Sequence, residues 1–234
     1  LRVLGWLAVV GVISASGALA TPVYNTLVGS SNWSGTRSIG SGLAGTGVWG
    51  QSSDGFSISW EITETTPGTL HYQYTFTWPD GAPSHVIFEL SQGCASAAAG
   101  CVWGFLFDEQ NPEKIDWGTF EPDDQGQSNP NLPAAIYGVK VDRPETAGGW
   151  VLEFYSNRLP VWGNFYSKDG VAGGLGTNTV WNLGLETANA GSENILYFIA
   201  RPDTEAPMPE IPEPGTMVLL GAGLLALGLI RRRG

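Results

Sequence analysis

Helical periodicity is what this sequence has least of. Across residues 21–201 no helix-length stretch sustains an apolar stripe of 3.6-residue period, which excludes a bundle of amphipathic helices. Basic residues are also scarce: 11 Lys and Arg stand against 22 Asp and Glu, for a net charge of −11. Four of the basic residues, Arg2, Arg231, Arg232 and Arg233, sit in the terminal segments, so the middle of the chain is more acidic still. Such a surface repels phosphate backbones and anionic lipid, which excludes nucleic acid as a partner. Histidine occurs twice, at His71 and His85. Two separated histidines are too few for a zinc site, and no H-E-x-x-H or G-x-S-x-G segment is present. His71 falls on the polar face of a strand, and both histidines are expected at the surface or at a satisfied sheet edge.

Cysteine is equally sparse, with Cys94 and Cys101 alone. The spacing is not C-x-x-C and no His or Cys cluster lies nearby, so an oxidising compartment would join them in a disulfide. Closing that small loop contributes about 2–3 kcal/mol in the chain-entropy estimate.

What the chain has in quantity is glycine (33), proline (15) and tryptophan (10), with only 14% charged residues against 42% hydrophobic. That balance describes a packed, turn-rich domain rather than a disordered one. Apolar residues recur at every second position in Phe56, Ile58, Trp60 and Ile62. They do so again in Leu70, Tyr72, Tyr74, Phe76 and Trp78, with a Pro67-Gly68 turn between the two runs. This is a long antiparallel hairpin. Further short strands are expected at 84–91, 102–107, 135–142, 150–157, 179–187 and 195–201. The expected fold is all-β, an antiparallel sandwich or jelly roll over 21–201. Residues 202–210, rich in proline, read as a linker.

Candidate chemistry is thin. Trp33, Trp49, Trp117, Trp162 and Trp181 lie in or beside Gly-rich segments. Trp162 and Tyr166 have the materials for stacking a sugar ring, so they are the candidate glycan-binding residues. The acidic stretches Asp108-Glu109-Gln110-Asn111 and 116–124 could offer oxygens to calcium, the one cofactor considered; no defined metal loop is present. The segment from Glu121 through Asp123 and Asp124 to Gly126 lacks the second glutamate of an E-x-D-x-x-E glycosidase strand, and no catalytic residue is assigned.

The two ends carry processing signals. Residues 1–20 hold Arg2, an apolar stretch and small residues ending in Ala18-Leu19-Ala20, the pattern of a signal peptide cut before Thr21. At the other end, in 211–234, Pro212-Glu213-Pro214-Gly215 precedes an uncharged run over 216–230 and then Arg231, Arg232 and Arg233. Two prolines around a glutamate keep that segment extended, a form that a processing enzyme can grip. The run would make a helix of about 22 Å, short of the roughly 30 Å hydrocarbon core. It suits a transient inner-membrane anchor, with the arginines marking the cytoplasmic side.

This three-part tail resembles the PEP-CTERM sorting signal of exported proteins of Gram-negative bacteria. The resemblance implies recognition by exosortase, cleavage near Pro212, Glu213, Pro214 and Gly215, and delivery to the cell surface or the extracellular polysaccharide matrix. Signal peptidase and the secretion machinery would act at the other end. Segments such as Trp60-Glu61-Ile62, 72–76, 84–89, 137–142 and 160–170 are similar to ones recurring in that group. The expectation is therefore an exported, non-catalytic protein associated with exopolysaccharide and biofilm. A lectin-like carbohydrate-binding module is the alternative, and a glycoside hydrolase the less favoured one.

Overall fold

The computed structural model describes residues 22–51, 55–94, 96–122, 129–144, 150–169, 178–186, 189 and 191–207. Thirteen strands run through them. They are β1 Ser34–Ile39, β2 Gly42–Gly45, β3 Ser57–Thr66, β4 Thr69–Thr77, β5 Pro83–Glu89, β6 Val102–Phe107 and β7 Lys114–Phe120. Then follow β8 Ile136–Asp142, β9 Val151–Ser156, β10 Arg158–Gly163, β11 Phe165–Asp169, β12 Thr179–Asn182 and β13 Ile199–Pro207. The helical pieces among the described residues are 3-10 turns of three or four residues, so the all-β expectation holds. Eleven strands form one sheet in the order β6-β9-β4-β3-β1-β2-β12-β11-β5-β8-β7, and β10 and β13 make a separate two-stranded ribbon.

The sheet curls on itself. Tyr74 on β4 and Phe88 on β5 are six places apart in the strand order, yet their ring centroids are 4.5 Å apart. Phe105 and Trp117 belong to the two edge strands and meet at 6.0 Å. The concave side therefore closes around one core, to which the alternating residues of β3, β4, β5, β8 and β9 all contribute. Tyr72 stacks on Phe154 at 5.4 Å, and Phe76 meets Trp150 edge-on at 4.6 Å. Each fully buried ring contributes about 1.5–3 kcal/mol. The ribbon packs on the same core: Tyr74 donates to Ala200 O and Tyr72 to Arg158 O, both at 2.8 Å.

Arg37 is the exception among the inward residues of β1. Its guanidinium lies 4.9 Å above Trp60 and 5.6 Å above Trp162, and it donates to the carbonyls of Phe198, Thr36 and Ile195. Burial pushes its pKa down to about 10, so it stays charged at neutral pH, held by carbonyl dipoles and ring faces.

The Cys94–Cys101 disulfide is present, with Cα atoms 5.7 Å apart and both residues buried. The expected linker begins later than its composition suggests. Strand β13 runs on to Pro207, which pairs with Arg158, so 202–207 belong to the ribbon. A two-stranded ribbon has a free edge on each strand, where proline's missing N–H costs no ladder bond. The signal segment 1–20 and residues 208–234 lie outside the described residues.

Candidate functional site

Directly paired residues of an antiparallel sheet point to the same side, so the register maps the outward faces. On the outer face of β6-β9-β4-β3-β1 the first row is Trp103, Tyr155, His71 and Thr63. The next is Leu106, Glu153, Gln73, Glu61 and Ser34, and the third is Val151, Thr75, Ser59 and Thr36. Trp103 is 40% exposed, one of the most open large apolar side chains of the described residues. The rings of Tyr155 and His71 lie 5.0 Å apart at 35°. His71 Nε2 is 2.9 Å from Glu153 Oε2, which also accepts from Gln73 Nε2 at 3.4 Å. Hydroxyls pair across the strands, Thr36 with Ser59 at 2.9 Å and Ser57 with Thr77 at 2.6 Å.

A β-bulge builds the aromatic end of this face. The register shifts between Trp103 and Leu106, and Gly104 there adopts φ +68°. The extra residue lets Trp103 and Leu106 both face outward while Phe105 turns into the core. A Cβ on Gly104 would come within 3.1 Å of Tyr155 Cδ2, so the bulge lies close over the tyrosine ring.

The outer face of the other half is largely covered from β11 to β8 and open on β7. Its rows are Thr179, Lys168, His85, Asp142 and Lys114, then Trp181, Tyr166, Ile87, Lys140 and Asp116. Leu132 and Leu185 pack against Ile87, Tyr166 and Ile136 of β8 as a second apolar cluster. His85 is buried on an interior strand between β11 and β8, not at the surface or an edge as expected. Its burial, with Lys140 and Lys168 adding to it, pushes its pKa well below the usual value. Lys168 is shifted down and Asp142 up by the same burial.

The family model described as the PEP-CTERM protein-sorting motif matches residues 210–233. The chain carries a PEP-CTERM sorting motif. No curated protein and no solved structure matches this chain. The motif marks an exported protein with a C-terminal sorting signal that exosortase processes. Among the described residues no helix is long and apolar enough to cross a membrane. The run 216–230 and the motif residues Pro212, Glu213, Pro214, Gly215, Arg231, Arg232 and Arg233 lie outside them, as do Ala18, Ala20 and Thr21.

In the domain attached to the PEP-CTERM motif, the two expected glycan residues are core residues. Trp162 is 4% exposed, packed edge-on against Trp60 at 6.2 Å and under the Arg37 guanidinium. Tyr166 is fully buried, and its hydroxyl donates to Pro130 O at 2.6 Å. Neither offers a ring face to a ligand. The other candidate tryptophans are buried or half-buried, and Trp33, Trp49 and Trp181 donate their indole N–H groups within the domain. Trp103 does not stand out in the sequence, because every residue of Val102–Phe107 except Gly104 is apolar, which hides which side faces out. Gly104 inside the strand was the available signal, since an interior glycine marks a bulge.

The acidic stretches take structural roles where they are described. Asp108 and Glu109 have φ of 45° and 66°, and Phe107 and Gln110 exchange backbone bonds around them, a type I′ hairpin turn. Asp116 lies on β7 beside Lys114 at 2.7 Å. Asp123 and Asp124 lie outside the described residues, and no His/Cys/Asp/Glu group among those described is placed to hold a metal. A pocket beside Tyr24, Glu89 and Asn164 measures ≈ 210 Å³, below the roughly 300–1,000 Å³ of ligand pockets. Glu89 there accepts from the Tyr24 hydroxyl and from both Asn164 nitrogens, and Arg201 Nε stands 3.8 Å away. Those partners tie the carboxylate into the fold.

Proposed function

We propose that this chain is a non-catalytic protein of the cell surface or extracellular matrix, associated with exopolysaccharide and biofilm. The observation that carries this reading is the sorting motif at 210–233, joined to an acidic domain of curled sheet. The acidic charge favours a partner other than nucleic acid or anionic lipid. A hydrolase is the weaker reading. Glu89 is held by internal donors, and His85 is buried and kept neutral. We read the curled sheet as a sandwich whose inner faces meet through Tyr74, Phe88 and Phe154. Calcium has no role in this reading. The signal peptide would be removed before Thr21, and 216–230 would hold the chain briefly in the inner membrane until exosortase cuts near Pro212–Gly215.

The test is fractionation of the native host. Wild-type protein is expected in the matrix fraction, shortened at both ends by intact mass. The double variant Glu213→Ala/Pro214→Ala is expected to keep its tail and stay with the membrane. Normal shortening of that variant, or wild type recovered only in the periplasm, would sink the reading.

A further inference from the structure

The outer face of β6-β9-β4-β3-β1 is built unlike an idle sheet surface. Three rings on adjacent strands, Trp103, Tyr155 and His71, form one row, with strands about 4.8 Å apart. Beside it run a carboxylate–carboxamide row and a hydroxyl row, where Glu153, Gln73, Glu61, Thr75, Ser59 and Thr36 supply donors and acceptors. From this arrangement we infer that the face binds a neutral, β-linked polysaccharide chain, with a sugar ring stacked on Trp103, which Tyr155 and His71 flank.

The chemistry selects that occupant. An equatorially linked pyranose chain is a flat ribbon with C–H groups on its faces and hydroxyls along its edges. A C–H face matches the exposed ring of Trp103, since an aromatic face carries negative potential. The edge hydroxyls match Gln73, Glu153, Glu61 and the Ser/Thr ladder, since a carboxylate accepts and a carboxamide both donates and accepts. Charge excludes the acidic polymers. No Lys or Arg lies among the described residues of this face, while Glu61 and Glu153 are there to repel uronates and sulfates. The Gly104 bulge adds placement, because it re-aims Trp103 beside Tyr155 rather than into the core.

This inference deepens the matrix reading and rests on it for the polymer's presence, but its test is separate. The full chain, purified in a detergent without a sugar headgroup, is run in native gels cast with hydroxyethylcellulose, with alginate, or with no polymer. Hydroxyethylcellulose is expected to retard it and alginate to leave it unmoved. Trp103→Ala should weaken retardation about tenfold, the loss expected for one stacked ring. Its melting temperature should stay within about 2 °C of wild type, since the side chain is exposed. Gln73→Ala is the second probe and should weaken binding less. No retardation by hydroxyethylcellulose, equal retardation by alginate, or an unchanged Trp103→Ala would overturn the inference. Recovery of the protein in the matrix would still uphold the broader reading in each of those cases.

Discussion

The two outward faces of the one sheet have opposite fates. The face of β6-β9-β4-β3-β1 is open and carries hydroxyls, carboxylates and a row of rings. The face of β11-β5-β8 is largely covered, with Leu132 and Leu185 packed over it beside Ile136 of β8, and Tyr166, Ile87 and His85 are as buried as the concave core. Both halves supply the same kind of inner surface. A strand's inner alternation therefore says little about its other side; what lies over that side decides whether it is a working surface or more core.

The contrast predicts unequal costs for similar substitutions. Tyr166→Ala, on the covered side, should lose about 3–5 kcal/mol, measured by urea unfolding, because it opens a cavity and leaves Pro130 O without its donor. Trp103→Ala removes an aromatic ring as well, yet should cost under about 1 kcal/mol. Equal losses would remove the distinction between the faces. Between these extremes, Cys94→Ser with Cys101→Ser should cost about 2–3 kcal/mol, since the disulfide no longer restrains the unfolded chain.

Acid should also act through the covered side. His85 is neutral in the fold, whereas the unfolded chain takes up that proton near pH 6.5. Its contribution is intact above pH 6.5 and is lost as pH falls below that value, until His85 protonates within the fold. The slope is at most about 1.4 kcal/mol per pH unit. Urea midpoints at pH 7.5 and 5.5 should converge in His85→Gln relative to wild type; an unchanged difference would place the acid sensitivity elsewhere. The smallest effect is expected on the open side, where Thr75→Ala should shift stability by no more than about 0.5 kcal/mol.

Legibility in the sequence followed the same division. Strands β4, β8 and β9 show their period-two pattern and lie within a residue or two of the expected bounds; β3 shows it too but runs on to Thr66, past its expected end at Ile62, and β6 is marked only by its apolar run. Strands β10 and β11 do not show the pattern. Pro160–Asp169 is buried on both sides, so alternation vanishes, and its Trp, Tyr and Gly resembled an aromatic loop. Trp162 and Tyr166 therefore look like loop aromatics in the sequence and are buried in the fold. Strand β7 was hidden by its charges and Gly118, which suit an edge strand that must not pair further. The polar side of His71 was legible from the hairpin alone. Its neighbours Tyr155 and Trp103 were not, because the order β6-β9-β4 joins strands distant in sequence.

The most direct measurement of the central claim is tryptophan oxidation by N-bromosuccinimide, read by peptide mass spectrometry with and without hydroxyethylcellulose. The account predicts that Trp103 reacts first and is protected by the polymer, while Trp49 and Trp162 react only on unfolding. Oxidation of Trp162 at the rate of Trp103, or polymer that leaves Trp103 unprotected, would contradict it.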